Sequence, residues 1–352
     1  VVGQLQADAQ PPDGPGDRLH LVADPLDEIH LDLATVDVAL EVEQVHRMSD
    51  AGPKTAVILA LFLAVTLFLA GCGGDDVAPD QAEVEVGRET VEGMSREHAD
   101  DSAEPSPATD AAPAQEVISD PRMPYTEAED ELVYGYFAAP ADVFEPLPAI
   151  IVIHEWWGLN DNVRTMADRL AGEGYMVLAV DLYGGKTATS PEGARQLMLN
   201  VVEDPEPAKA NIRDAYRFLE TAGAPSIASL GWCFGGGWSL TAAQLLPDQL
   251  DASVIYYGQV TSDEDKLRPL EVPILGLFAA DDTGITVESV EAFRAALERL
   301  RKDHEIHIYP GVGHAFANPS GRNYDASAAE DAWSKTLDFL ARHLSSDASG
   351  DG

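Results

Sequence analysis

A cysteine framed by glycines, Gly231-Trp232-Cys233-Phe234-Gly235, follows an apolar run ending at Leu230 and precedes an apolar segment that keeps helical spacing through Leu245. That pattern reads as strand, sharp turn and helix. A nucleophile on such a turn sits in a strained backbone conformation, and a side chain two residues either way would collide with the adjoining strand or helix, so glycine is required there. The reading leaves the thiol exposed at the tip. The helix starting just after Cys233 aims free N–H groups and a partial positive charge at it, which favours thiolate and a nearby oxyanion. The competing reading is a buried structural cysteine in a Gly-rich turn, because free cysteines are among the most buried residues.

The elements that must position this cysteine alternate along the chain. Tyr125 to Pro140 has strand character, and Pro148 to His154 is an unbroken apolar run suited to a strand buried on both faces. A helical pattern from Asn162 to Ala171 follows, then a strand at Tyr175 to Val180 and a helix around Pro207 to Thr221. Beyond the cysteine turn come strands at Ala252 to Tyr257 and Val272 to Phe278, a helix near Val287 to Arg301, a strand at Glu305 to Tyr309 and a helix from Ser327 to Leu344. Strands alternating with helices imply an α/β fold, a mostly parallel sheet with helices on both faces. Ligands bind such sheets outside the carboxyl ends of the strands. Cys233, Glu155, Asp282 and His314 each fall just beyond a predicted strand, so all four are expected at that one edge.

The segments His154-Glu155-Trp156-Trp157-Gly158-Leu159-Asn160, Asp181-Leu182-Tyr183-Gly184, Gly231 to Gly237 and Gly311-Val312-Gly313-His314-Ala315-Phe316 resemble the dienelactone hydrolase family, in the right order and over about residues 125 to 345. The resemblance implies the α/β-hydrolase fold, whose triad runs nucleophile, acid, histidine. His314 is then the base; His304, His307, His343 and His154 lie in or beside strands and the last helix and fit less well. The acid is Asp281 or Asp282, and the family's D-x-x-[VI] pattern, met by Asp282-Thr283-Gly284-Ile285, selects Asp282. The alternative for either aspartate is capping the following helix. Glu155 matches the family glutamate that contacts the cysteine and controls its protonation; otherwise it is a solvent-facing acid at a strand end. The oxyanion hole is expected from the backbone N–H groups of Phe234 and Trp156. Trp156, Trp157, Trp232, Phe316 and Tyr183 are pocket walls or, one by one, core. The family's two carboxylate-binding arginines fall here at Gly185 and Asn318, which puts a dienelactone carboxylate in doubt as substrate; Arg164 and Arg322 lie nearby in sequence.

The ends differ from the middle. The chain of 352 residues carries 61 acidic against 22 basic side chains, a formal charge of -39, which disfavours nucleic acid and anionic membrane surfaces as partners. Residues 1–47 hold no period, and an over-extended N-terminus is expected there. Residues 48–72 carry a basic residue, an apolar run from Thr55 to Ala70 and the ending Leu69-Ala70-Gly71-Cys72, which resembles a bacterial lipoprotein signal peptide with Cys72 the lipidated residue. Its core is short for a bilayer span. Acidic, Ala- and Pro-rich residues 73–121 read as a disordered tether, residues 122–346 as the catalytic domain, and 347–352 as a tail.

These observations lead to an exported, lipid-anchored hydrolase, expected monomeric, that cleaves a small ester or lactone through Cys233, His314 and Asp282 with help from Glu155. No cofactor or metal is implied, since no cluster shows ligand spacing in the sequence. The rival reading is a non-catalytic lipoprotein using the fold as a binding surface.

Overall fold

The computed structural model describes residues 81–99, 113–128, 131–143 and 145–344, all within the unit Gly52–Gly352. The expected N-terminal extension, the signal peptide with Cys72 and the tail 347–352 lie outside the described residues. No helix among the described residues is long and apolar enough to cross a membrane.

Five short strands have every residue buried: β3 (Ala149–Ile153), β4 (Met176–Val180), β5 (Ile227–Trp232), β6 (Ala252–Tyr256) and β7 (Ile274–Ala279). Apolar on both faces, they have no wet side and must lie in the middle of a covered parallel sheet. The flanking strands are β1 (Val117–Ala128), β2 (Glu131–Pro140) and β8 (His304–Tyr309). The order is β1-β2-β4-β3-β5-β6-β7-β8, with β1 and β2 antiparallel and the rest parallel. The stretch Tyr125 to Pro140, read as one region of strand character, is parts of two strands, and the folded domain begins earlier than residue 122.

Helices cover the sheet: α2 (Asp161–Gly172), α3 (Pro191–Glu203), α4 (Glu206–Thr221), α5 (Phe234–Leu245), the short α6 (Glu264–Leu267), α7 (Val287–Leu300) and α8 (Ala326–Leu344). The α/β-hydrolase reading of the sequence therefore holds.

The tether does not hold throughout. Gln81–Glu97 forms a helix, α1, and its Val91 and Met94, together with His98 just beyond its end, are buried. These fall at i, i+3 and i+7 and make one face. The helix lies against α3, so closely that a Cβ on Gly87 would stand 2.6 Å from Val202. Arg88 pairs with Glu203 at 2.6 Å and Arg195 pairs with Glu92. Exposed pairs of this kind contribute about 0–1 kcal/mol each. Burial of Val91 and Met94, at about 1.5–3 kcal/mol per side chain, does more to hold α1 in place.

Candidate active site

Cys233 sits between β5 and α5 at φ 57°, ψ -118°, a conformation L-residues rarely adopt. The flanking glycines are there for space. A Cβ on Gly231 would lie 2.1 Å from the carbonyl oxygen of Gly235, and one on Gly235 would lie 2.2 Å from that of Ile153 at the end of β3. Both obstacles are backbone, which cannot swing aside. Gly235→Ala is therefore expected to cost more than ~3 kcal/mol, measured as a lowered denaturation midpoint; an unchanged midpoint would show that the elbow yields.

The other predicted residues converge on the same edge. Asp282 follows β7, with Oδ1 accepting from the N–H groups of Gly284 at 2.9 Å and Ile285 at 2.8 Å. Its Oδ2 accepts from His314 Nδ1 at 2.7 Å, and both side chains are buried. The neighbouring Asp281 is exposed, so geometry picks Asp282 of the two. Neither caps α7, whose cap is Thr286, accepting from Ser289 N. The next residue, Ala315, has φ 62°, so the loop carrying His314 is held in an unusual conformation.

Electrostatics couple thiol and imidazole. Burial pushes the Cys233 thiol up, but the charge of His314, then that of His98, outweighs it and brings the pKa down to about 6. Burial likewise opposes protonation of His314, and the Cys233 thiolate and Asp282 carboxylate outweigh that, holding it well above the ordinary histidine value. Both shifts run in the direction that favours thiolate beside imidazolium.

Glu155 is buried, and its carboxylate accepts a 2.6 Å hydrogen bond from Asn318 Nδ2. It is not the solvent-facing acid of the alternative reading. Asn318, at one of the positions expected to carry an arginine, is drawn into a polar network with Asn162 and Ser320. At the other, the Gly185 N–H donates to Asp181 at 2.5 Å. Arg164 pairs with Asp161 at the start of α2. His154 is structural: the Leu182 N–H donates to its Nε2 at 3.1 Å, so Nδ1 carries the proton and donates to the Glu155 carbonyl at 2.7 Å. Burial pushes its pKa down, which keeps it neutral. It thereby ties the loop bearing Glu155 and Trp156 to the loop after β4.

The thiol is not exposed at the tip as the sequence suggested: Cys233 is 0% accessible. The cause is α1. Sγ lies 3.7 Å from Met94 Sδ and 3.6 Å from His98 Nε2, and the His98 ring stacks on Trp156 at 4.6 Å between centroids. Sequence reasoning missed Met94 and His98, and also Tyr257, whose ring meets His314 edge-on at 5.2 Å and whose buried hydroxyl has no hydrogen-bond partner among the described residues. A cavity of about 20 Å³ beside Glu155, Tyr257 and Asn318 is large enough for one water. The expectation that a substrate reaches Cys233 only when α1 moves is tested by Met94→Glu, which sets a carboxylate against the sulfur. Each 1.4 kcal/mol of lost docking raises the open population about ten-fold, so iodoacetamide should label Cys233 at least ~10-fold faster in the variant. An equal rate would mean that α1 is no barrier.

A sequence model of the dienelactone hydrolase family matches residues 133–344. The chain belongs to that family. A Saccharolobus solfataricus protein provisionally named a carboxymethylenebutenolidase is 32% identical over 255 residues, which span 62% of this chain and 97% of that one. An Escherichia coli K12 protein with the same provisional name is 32% identical over 234 residues, 59% of this chain and 82% of the other. Among solved structures, a Klebsiella pneumoniae protein provisionally described as a dienelactone hydrolase superposes with a TM-score of 0.59 at 27% identity, covering 65% of this chain and all of that one. This dienelactone hydrolase family member is thus a hydrolase of the lactone and ester class. The segment carrying α1 precedes the matched residues.

Proposed function

We propose that Cys233 is an acyl-accepting nucleophile served by His314 and Asp282. The thiolate adds to an ester or lactone carbonyl, and the oxyanion is held by the N–H groups of Phe234 and Trp156. When the carbon–oxygen bond breaks, the leaving alkoxide takes the proton from His314. Water then gives a proton back to His314 as it attacks the thioester, and the acid departs. Asp282 fixes which nitrogen of His314 is available. Glu155, anchored by Asn318, is proposed to set the polarity beside the sulfur. The observation that carries this reading is the buried 2.7 Å bond from His314 to Asp282, with the imidazole beside the sulfur.

The substrate proposed is a small neutral ester or lactone. With Gly185 and Asn318 at the positions of the carboxylate-binding arginines, a charged dienelactone has no bidentate clamp. A panel of aryl esters and lactones, with and without a carboxylate, tests the class: neutral substrates should turn over faster, and preference for the carboxylates would overturn it. The acidic limb gives a second check. Thiolate is present above its pKa and lost below it, so kcat/KM should fall with decreasing pH at an inflection between about 6 and the ordinary thiol value of 9.0. An inflection at or above 9 would rule out the ion pair.

The covered thiol favours the second reading, a non-catalytic binding protein; absence of both turnover and an acyl burst across the panel would make it the better one. The Leu69-Ala70-Gly71-Cys72 ending supports a further proposal, a lipid anchor at Cys72 on an exported enzyme. Metabolic labelling with a fatty acid, lost in Cys72→Ala, tests it.

A further inference from the structure

The sequence shows no ligand spacing for a metal, yet folding brings donors from three distant segments together. The ligating atoms of His98, Cys233 and His314 lie within 4.8 Å of one another, all three residues buried. Nε2 of His314 is buried within this cluster, while its Nδ1 is fixed by Asp282, as a carboxylate commonly fixes the far nitrogen of a metal-binding histidine. Met94 adds a thioether.

Two of the spacings match a tetrahedral ion. Metal–sulfur bonds near 2.3 Å and metal–nitrogen bonds near 2.0 Å put sulfur and nitrogen about 3.5 Å apart across a tetrahedral edge, and two sulfurs about 3.8 Å apart. The observed edges are 3.6 Å from Cys233 Sγ to His98 Nε2 and 3.7 Å from Cys233 Sγ to Met94 Sδ. Thiolate, thioether and two imidazoles form a soft set that selects copper(I) over harder ions. A monovalent ion also neutralises the thiolate, which suits a site closed from water.

We propose that the closed form of this protein binds one copper(I) ion through Met94, His98, Cys233 and His314, and that the ion locks α1 over the nucleophile. Cys233 enters as thiolate and His314 as neutral imidazole, so the proton shared by that pair leaves to solvent when the ion binds. Nucleophile and base are then both engaged, and ester hydrolysis stops. Inhibition rests on the proposed hydrolase reading; binding does not.

The test is an anaerobic titration of the whole chain with copper(I) against a coloured copper(I) chelator, with zinc in a parallel arm and Cys72→Ser as a control for the other thiol. The expected result is one tight equivalent of copper(I), retained in Cys72→Ser. Loss of a ligand should weaken binding by on the order of 10²-fold in His98→Ala and about 10-fold or more in Met94→Ala. Esterase activity should disappear on loading and return with excess chelator. No competition with the chelator, or equal affinity in His98→Ala and Met94→Ala, overturns the site; tight zinc with no copper overturns the choice of ion. Normal copper binding by a protein inactive on every ester would sink the hydrolase reading and leave the site standing.

Discussion

Cys233→Ser is expected to keep the fold and lose at least ~10³-fold in kcat/KM, the scale on which a triad fails when its nucleophile is removed. The exchange changes one atom, so the backbone at φ 57° and the glycine contacts around it stay as they are. What changes is acidity. The thiol is brought to about 6 although burial opposes it, because His314 and then His98 stabilise the anion. A serine hydroxyl starts so much higher that the same charges leave it protonated, and the resting ion pair is gone. Steady-state hydrolysis of an aryl ester, with thermal melting to check folding, reads the effect. Retention of more than about a tenth of wild-type activity would mean that the site does not depend on thiolate.

Asp282→Asn should be nearly as damaging, on the order of 10⁴-fold in kcat, for a reason visible in its hydrogen bonds. Oδ1 is committed to two backbone donors, Gly284 N and Ile285 N. In the asparagine the amide oxygen must keep that place, and the NH₂ is turned toward His314 Nδ1. Two donors then face each other. His314 resolves the conflict by moving its proton to Nε2, the nitrogen that must be unprotonated to act as base. The loss should appear in kcat with KM little altered, since among the described residues the hydrogen bonds of Asp282 go to the histidine and its own loop. A loss below ten-fold would mean that the carboxylate is structural.

Much of this was legible in the sequence. Strands β3 to β7 announce themselves as short apolar runs, because burial on both faces leaves no polar alternation to confuse them. The elbow was readable from its glycines, since only glycine fits where Gly235 meets the Ile153 carbonyl. Cys233, Asp282 and His314 were placed by their position after strands.

What escaped was the helix over the site. Gly87 and Gly93 interrupt α1, and glycine inside an acidic stretch reads as disorder. Here Gly87 allows close approach to Val202 of α3. The signal that would have found it is Val91, Met94 and His98 at i, i+3 and i+7, too few apolar positions to stand out. α3 was missed too, though Ser190-Pro191 at its start is an ordinary cap, with Ser190 accepting from Gly193 N. The exposure of the thiol was misjudged as a direct result, because nothing near Cys233 in sequence tells of a lid more than a hundred residues upstream.

The most direct measurement is mass spectrometry of the intact protein quenched within one turnover of an activated aryl ester, followed by peptide mapping. One acyl group per chain is expected, held as a thioester on the peptide containing Cys233, cleaved by hydroxylamine and accumulating in a variant slow to deacylate. Turnover with no acyl adduct, or an adduct on any other residue, would contradict the assignment of Cys233 as nucleophile.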